Sequence, residues 1–479
     1  MPSRLGESAA LGVGLGYLGT VVNYMLAAAY VVVLTRFIPL EDYGVYNSLA
    51  ALLGLFWLFL PNFGIYIAVM REGAAVFARG GDVAPYFAAF LFLQSMFTVA
   101  YVVIVLAASP FYLRQFPEKF WPMVALIAAY TVLQGLANAL SAYLWMIGRY
   151  TTQSVGVVLY NLVFRSLEVG LIVALRDVYA IPISMLVGIV ANVAVYLRAV
   201  RRVPNPLLGV PLLKSSFWRF LGLGVQEWAI DYGASIAGNA STYLIFHFLG
   251  PSAAGIYGLA AYMLGFVTSF SGSVYSVYIA RASRSLRSVL PISLDYARTA
   301  QAVSSFLSVS TALATPLLPI LGIVHGQYVG AVPYAMALFG SAALGSAVAV
   351  FRGHFWVSGR GWRSAAAIMS GQAAGLAALA LSAPRIGLFS AVIANYVAAL
   401  VPLAFFLKWD SSLRRGVLPA FAASAALSSF LYFLWPLAQL AALAAVALLL
   451  YFYKPLPRPV LEQVPEPLRS LIRPFVQSI

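Results

Sequence analysis

Residues Leu34–Tyr46 read L-T-R-F-I-P-L-E-D-Y-G-V-Y, and residues Ile245–Tyr257 read I-F-H-F-L-G-P-S-A-A-G-I-Y. With Gly44 set over Gly255, an offset of 211, Phe37 falls on Phe248, Ile38 on Leu249, Val45 on Ile256 and Tyr46 on Tyr257. Pro39 and Pro251 then lie within one position of each other. Each stretch is a corner between two long apolar runs, punctuated by Pro and Gly. A corner that returns in this way marks an internal repeat.

Composition identifies the solvent those runs face. The 479 residues are 62% hydrophobic and 9% charged, whereas a soluble domain is about 45–50% apolar and about 25% charged. A water-soluble core of this length cannot hide so much apolar surface, so the solvent is lipid. The net charge of +15 comes from basic residues spread thinly between apolar runs. That distribution fits a membrane topology bias rather than a nucleic-acid partner. Cysteine is absent, which excludes disulfides, thiolate metal sites and cysteine nucleophiles. His247, His325 and His354 lie far apart without metal-ligand spacing, so no metal and no cofactor are expected. Arg4 and Glu7 precede an apolar run too long for the core of a cleavable leader, and that run reads as a first span.

A helix needs about 20 apolar residues to cross the hydrocarbon, and the breaks between runs predict about fourteen spans. They cover 9–37, 43–70, 84–109, 120–147, 152–176, 180–200, 219–249, 252–280, 297–323, 329–357, 363–383, 386–408, 416–434 and 436–453. With the N-terminus inside, 22 of the 29 Lys and Arg residues fall in cytoplasmic loops and 5 in outer loops; Arg165 and Arg352 lie within spans. This asymmetry predicts a multi-pass plasma-membrane protein with both termini cytoplasmic. Six spans separate the two corners, so both face outward and the repeat is parallel. The predicted fold is all-α: an N-lobe over 1–200, a basic cytoplasmic linker over 201–218 and a C-lobe over 219–408. Two further helices cover 409–453, and a Pro-rich cytoplasmic tail covers 454–479.

The pattern T-R-x-x-x-x-x-D-Y-G-x-Y, carried by Thr35, Arg36, Asp42, Tyr43, Gly44 and Tyr46, resembles the polysaccharide-exporter flippases. These belong to the multidrug/oligosaccharidyl-lipid/polysaccharide (MOP) superfamily. The resemblance extends to the layout of spans, the two six-helix lobes and the basic loop between them. One departure is that the family's Gly-Pro-Glu is Pro39-Leu40-Glu41 here, and the Gly-Pro pair survives only as Gly250-Pro251. The resemblance implies two lobes around a central cavity that opens alternately to either side. The implied cargo is a lipid-linked oligosaccharide of the polyprenyl-pyrophosphate type, handled by a monomer in contact with membrane lipids.

Moving a hydrated head through hydrocarbon requires polar groups inside apolar helices, and several are present. Arg165 and Glu168, three apart in the fifth span, can pair on one helix face. They serve either a cavity or a neutralising contact that fixes helix packing. Glu227 and Asp231 lie four apart in the seventh span, with Asp231 ~18 Å along it from Arg219. A charge there costs roughly 2.5–3.5 kcal/mol and has to face protein or water. Two acids on one face suit a proton or sodium coupling site, a role the resemblance also implies for an acid in this helix, with Asp231 ranked ahead of Glu227. Lining a cavity or pairing with a buried arginine are the alternatives. Arg352 could attract a phosphate or snorkel to the cytoplasmic interface. Asn23, Asn192, Asn239 and Asn395 could bind sugar hydroxyls or join neighbouring helices. Arg281, Arg284 and Arg287 could gather anionic headgroups, although positive-inside bias explains them as well.

Membrane glycosyltransferases and oligosaccharide polymerases act on the same lipids, but they need acids or arginines on sizeable outer loops. Here those loops are short, and Glu41-Asp42 is the one outer acidic pair. No G-x-x-x-x-G-K-[ST] phosphate loop occurs. The expectation is therefore a transporter and not an enzyme, with a cation-coupled multidrug exporter of the same superfamily as the nearest rival.

Overall fold

The computed structural model describes residues 23, 25–60, 62–200, 203–282, 289–455 and 474, and among these it contains helices and turns with no strand. The helices of the first half are α1 (Met25–Phe37), α2 (Leu40–Leu58), α3 (Asn62–Ala78), α4 (Ala84–Ala107), α5 (Trp121–Met146), α6 (Tyr150–Leu175) and α7 (Ala180–Ala199). There follow α8 (Val210–Leu249), α9 (Pro251–Ala282), α10 (Val289–Ala314), α11 (Ala331–Val357), α12 (Gly361–Ile386) and α13 (Phe389–Trp409), then α14 (Pro419–Phe430) and α15 (Leu437–Tyr453). Among the described residues nine helical segments are long and apolar enough to cross a membrane, and α1, α14 and α15 are shorter apolar helices. The protein is a multi-pass, all-α membrane protein, as its composition requires.

Two expected boundaries move. The span predicted over 43–70 is interrupted between α2 and α3. Pro61 follows the break, and a proline pushes the residue before it out of the helical region. The indole Nε1 of Trp228 donates to the carbonyl of Leu58 at 2.7 Å, satisfying a backbone acceptor at the end of α2. The second change is at α8, which begins at Val210 and not at 219. Pro211 is tolerated because a first-turn N–H has no intrahelical partner to lose. A single-turn helix precedes it, where the Leu207 amide donates to Asn205 Oδ1 at 3.0 Å. At ~1.5 Å per residue the 40 residues of α8 span about 60 Å, twice the ~30 Å hydrocarbon thickness.

The chain divides into two compact units, and the boundary falls inside α8, at Tyr243. The first unit ends there and takes back the short segment Ile323–Gly326. Its core joins Ala68 and Val69 of α3, Phe87, Phe90, Leu91 and Leu93 of α4, Leu140 and Leu144 of α5, Ile189 and Tyr196 of α7, and Leu213 and Phe220 of α8. The chain entering α8 docks closely: a Cβ on Gly209 would stand 2.0 Å from the Ala89 nitrogen of α4. Arg219 of α8 forms an ion pair with Glu72 of α3.

The second unit is organised around α11, whose Ala335, Ala337, Ala347 and Phe339 are almost completely buried between α9, α10, α12 and α13. In lipid no hydrophobic force draws helices together, so close approach and hydrogen bonds do the holding. Gly371 and Gly375, four apart on α12, give that approach. Cβ atoms there would lie 2.8 Å from the carbonyls of Ala398 and Ala394 on α13. α14 and α15 cover α10 and α11 through Phe421, Ala425, Ala442 and Val446.

The repeated corner has a counterpart in each unit. Pro39 precedes α2, and Gly250, with φ of +85°, precedes α9. Beyond the corner, the Tyr46 hydroxyl reaches Met185 Sδ of α7 at 3.4 Å, and Tyr257 lies beside Asn395 of α13. Each tyrosine thus contacts a helix of its own unit.

Candidate functional site

Three of the expected polar residues converge in the first unit. Arg165 and Glu168 sit three apart on α6, where helical spacing places them on one face. The Arg165 Nη1 donates to Glu168 Oε2 at 2.6 Å. Its Nε donates to Asn23 Oδ1, brought in by the chain entering α1, at 3.2 Å. Side-chain exposure is 1% for Glu168 and 13% for Arg165, so this is a buried ion pair and not a surface one. The guanidinium carbon also lies over two rings, at 4.5 Å from that of Phe164 and 5.2 Å from that of Tyr30. Such stacking suits the weakly hydrated guanidinium.

The tyrosines of the corner motif belong to this cluster. Tyr43 is buried with its hydroxyl against Asn47 and Tyr30, and both Tyr43 and Tyr46 lie within electrostatic range of Arg165 and Glu168. The sequence marked them as parts of a turn. Their position one and two turns into α2, within electrostatic reach of the charged pair on α6, is set by packing. At the corner itself Asp42 pairs with Lys119 at 2.7 Å, Arg176 lies over the Phe37 ring at 5.5 Å, and the Thr35 hydroxyl donates to the Ile323 carbonyl at 3.2 Å. The acids Glu41 and Asp42 stand at the start of α2, where a carboxylate complements the helix dipole.

Other expected residues lie elsewhere. Asn239 of α8 packs on Gly54 of α2: a Cβ on that glycine would stand 3.1 Å from the Asn239 amide nitrogen. The buried Asn192 of α7 packs against Gly156 of α6 in a similar way. In the second unit Asn395 donates to the Ala391 carbonyl of its own helix at 2.8 Å. Arg352 lies over the Tyr275 ring at 4.7 Å. Its neighbour His354 belongs to a buried network: Nδ1 is 2.9 Å from Ser293 Oγ, which is 3.0 Å from the Tyr278 hydroxyl. His354 Nε2 stands 3.7 Å from Asp410 Oδ2. Glu227 and Asp231 occupy α8, but their side chains lie outside the described residues, as do the side chain of Arg281 and the whole of Arg284 and Arg287.

Chemically, the first-unit cluster is a net-neutral set in which one cation and one anion satisfy each other inside apolar helices. It can hold helices α1, α2 and α6 in register. It can also exchange one internal partner for an anionic or hydroxylated ligand.

Residues 10–283 match the family described as "Polysaccharide biosynthesis protein". No curated protein matches the chain. Among solved structures the chain is similar to the lipid II flippase MurJ in an inward closed conformation. That similarity has a TM-score of 0.67 at 10% identity and covers 91% of this chain and 97% of that one. It is also similar to an inward-facing multidrug resistance MATE family transporter of the MOP superfamily, with a TM-score of 0.60 at 14% identity, over 82% and 95% of the two chains. A MOP superfamily transporter from Pyrococcus furiosus matches with a TM-score of 0.54 at 14% identity, over 85% and 96%. At these identities the likeness is one of fold.

Proposed function

The chain belongs to the polysaccharide biosynthesis protein family and has the MOP transporter fold, and from that premise we propose that it is a flippase for lipid-linked oligosaccharide. The cargo would pass from the cytoplasmic to the outer leaflet by alternating access, with its sugar and pyrophosphate in protein and its polyprenyl tail in lipid. The observation that carries this reading is the buried Arg165–Glu168–Asn23 cluster. Polar groups of this kind in spanning helices are expensive in lipid and mark substrate or ion pathways. The likeness to the lipid II flippase, over 91% of this chain, and that to the MATE transporter, over 82%, both fit a transporter of this fold, and the family match to polysaccharide biosynthesis favours a glycan-bearing cargo over a drug.

In this reading Asp231, with Glu227 as its neighbour, takes up the coupling proton or sodium ion. Arg281, Arg284 and Arg287 gather anionic headgroups at the cytoplasmic side, where both termini also lie. The protein works as a monomer in the plasma membrane and makes or breaks no covalent bond.

Reconstitution in liposomes with a labelled polyprenyl-pyrophosphate oligosaccharide tests the reading. Leaflet exchange accelerated by a proton or sodium gradient is the expected result. Efflux of organic cations without lipid exchange would place the protein among the multidrug exporters. Asp231→Asn should abolish the response to the gradient, and unchanged coupling in that variant would remove Asp231 from the mechanism.

A further inference from the structure

Below the charged pair, α5 carries a second polar series hidden in an apolar run. Tyr130, Gln134, Asn138 and Ser141 recur at intervals of four, four and three, which gathers them on one face over ~16 Å of helix. They are connected. The Tyr130 hydroxyl is 3.1 Å from that of Tyr160 on α6 and donates to Gln134 Oε1 at 3.2 Å. Gln134 Nε2 donates to Asn138 Oδ1 at 3.0 Å, and Gln153 Nε2 of α6 donates to Ser141 Oγ at 2.8 Å. All six side chains are partly exposed.

Two of these contacts bridge α5 and α6 and could be simple helix glue. Gln134 and Asn138 are different, because their bond runs within one helix and joins nothing. The Asn138 NH2 group donates to no protein atom among the described residues. An amide left open in mid-span cannot face hydrocarbon, where each unsatisfied donor is heavily penalised, so this face meets water.

The surface is also uncharged. α5 has no ionisable side chain besides its tyrosines, and the two charges of α6 neutralise each other. Amides and hydroxyls at helical intervals suit sugar hydroxyls, which both donate and accept, and phenol rings suit the C–H faces of sugar rings. A carboxylate or phosphate would need a cation here. We propose that the α5–α6 stripe binds the glycan of the cargo, and that this glycan is built of uncharged sugars. The inference rests on the lipid-linked oligosaccharide reading above and adds the cargo's charge class.

The test uses the full-length protein in proteoliposomes with three fluorescent polyprenyl-pyrophosphate lipids: one with a neutral tetrasaccharide, one with a single uronic acid in that glycan, and one with no glycan. The neutral lipid should exchange at least about tenfold faster than the acidic one. Gln134→Leu and Asn138→Leu should each slow the neutral lipid by about three- to tenfold and leave the bare lipid unchanged. Tyr130→Phe, which deletes one hydroxyl and keeps the ring, should slow it similarly and stands in if the leucine variants do not fold. Equal exchange of neutral and acidic glycans, or neutral-lipid exchange untouched by the variants, overturns the inference while lipid flipping stands. Failure of wild type to move any of the three lipids overturns the flippase reading, and the inference falls with it.

Discussion

Replacing Glu168 by Leu should destabilise the folded protein by about 3–5 kcal/mol, because it leaves a buried guanidinium without its carboxylate. The two charges lie 2.6 Å apart at their nearest atoms, with Glu168 1% and Arg165 13% exposed. Unit charges at about 4 Å attract by about 4 kcal/mol at an effective dielectric near 20. Desolvation of both groups offsets most of that attraction, so the pair is worth little against a well-packed apolar pair, yet breaking it is severe. After the substitution Arg165 keeps Asn23 and the rings of Tyr30 and Phe164. Each ring returns about 0.5–2 kcal/mol, which does not replace the carboxylate. Arg165→Met should be harmful for the mirror-image reason. The double variant should return to within about 1 kcal/mol of wild type, a coupling of at least about 5 kcal/mol if each single variant costs about 3 kcal/mol or more. Unfolding of the purified protein in detergent, followed through its nine tryptophans, measures all four corners of the cycle. Additive single effects, with coupling under about 0.5 kcal/mol, would refute the buried-pair argument. Leaflet exchange by the double variant then separates the two roles: a stable, active protein assigns the pair to packing, and a stable, inactive one assigns it to cargo.

Gly209→Ala should lower stability by about 1–3 kcal/mol, because the added methyl meets backbone atoms of Ala89 that cannot rotate away. A lower melting temperature in detergent and faster tryptic cleavage at the neighbouring Arg201-Arg202 are the expected results, and an unchanged melting temperature would contradict them. In the second unit Gln301 is 1% exposed; it donates to the Gly416 carbonyl at 3.1 Å and accepts from the Leu418 amide at 2.8 Å. Gln301→Leu leaves both backbone groups buried without a partner, a loss of about 2–4 kcal/mol. Hydrogen exchange at Leu418 should accelerate accordingly, and unaltered protection there would show that the bridge is not needed.

Much of the architecture was legible in the order of residues. Few charges between long apolar runs admit only lipid as solvent, and a backbone in lipid has to satisfy its own hydrogen bonds, so the helices follow from composition. The corner at Leu34–Tyr46 and its echo at Ile245–Tyr257 marked the two compact units, one corner in each. Arg165 and Glu168 could be paired from their spacing, since residues three apart on a helix are always neighbours. The break after Leu58 was also open to a reading of Pro61. Tertiary structure alone decided that Asn23 meets Arg165 across 142 positions, that the chain entering α8 lies on Ala89, and that Tyr43 and Tyr46 reach below their corner to the charged pair. In a soluble protein, amphipathic periodicity would have shown which face each helix buries. In a membrane both protein interior and surroundings are apolar, so that signal fades, and the choice of facing helix is left to small residues and hydrogen bonds that only the folded chain brings together.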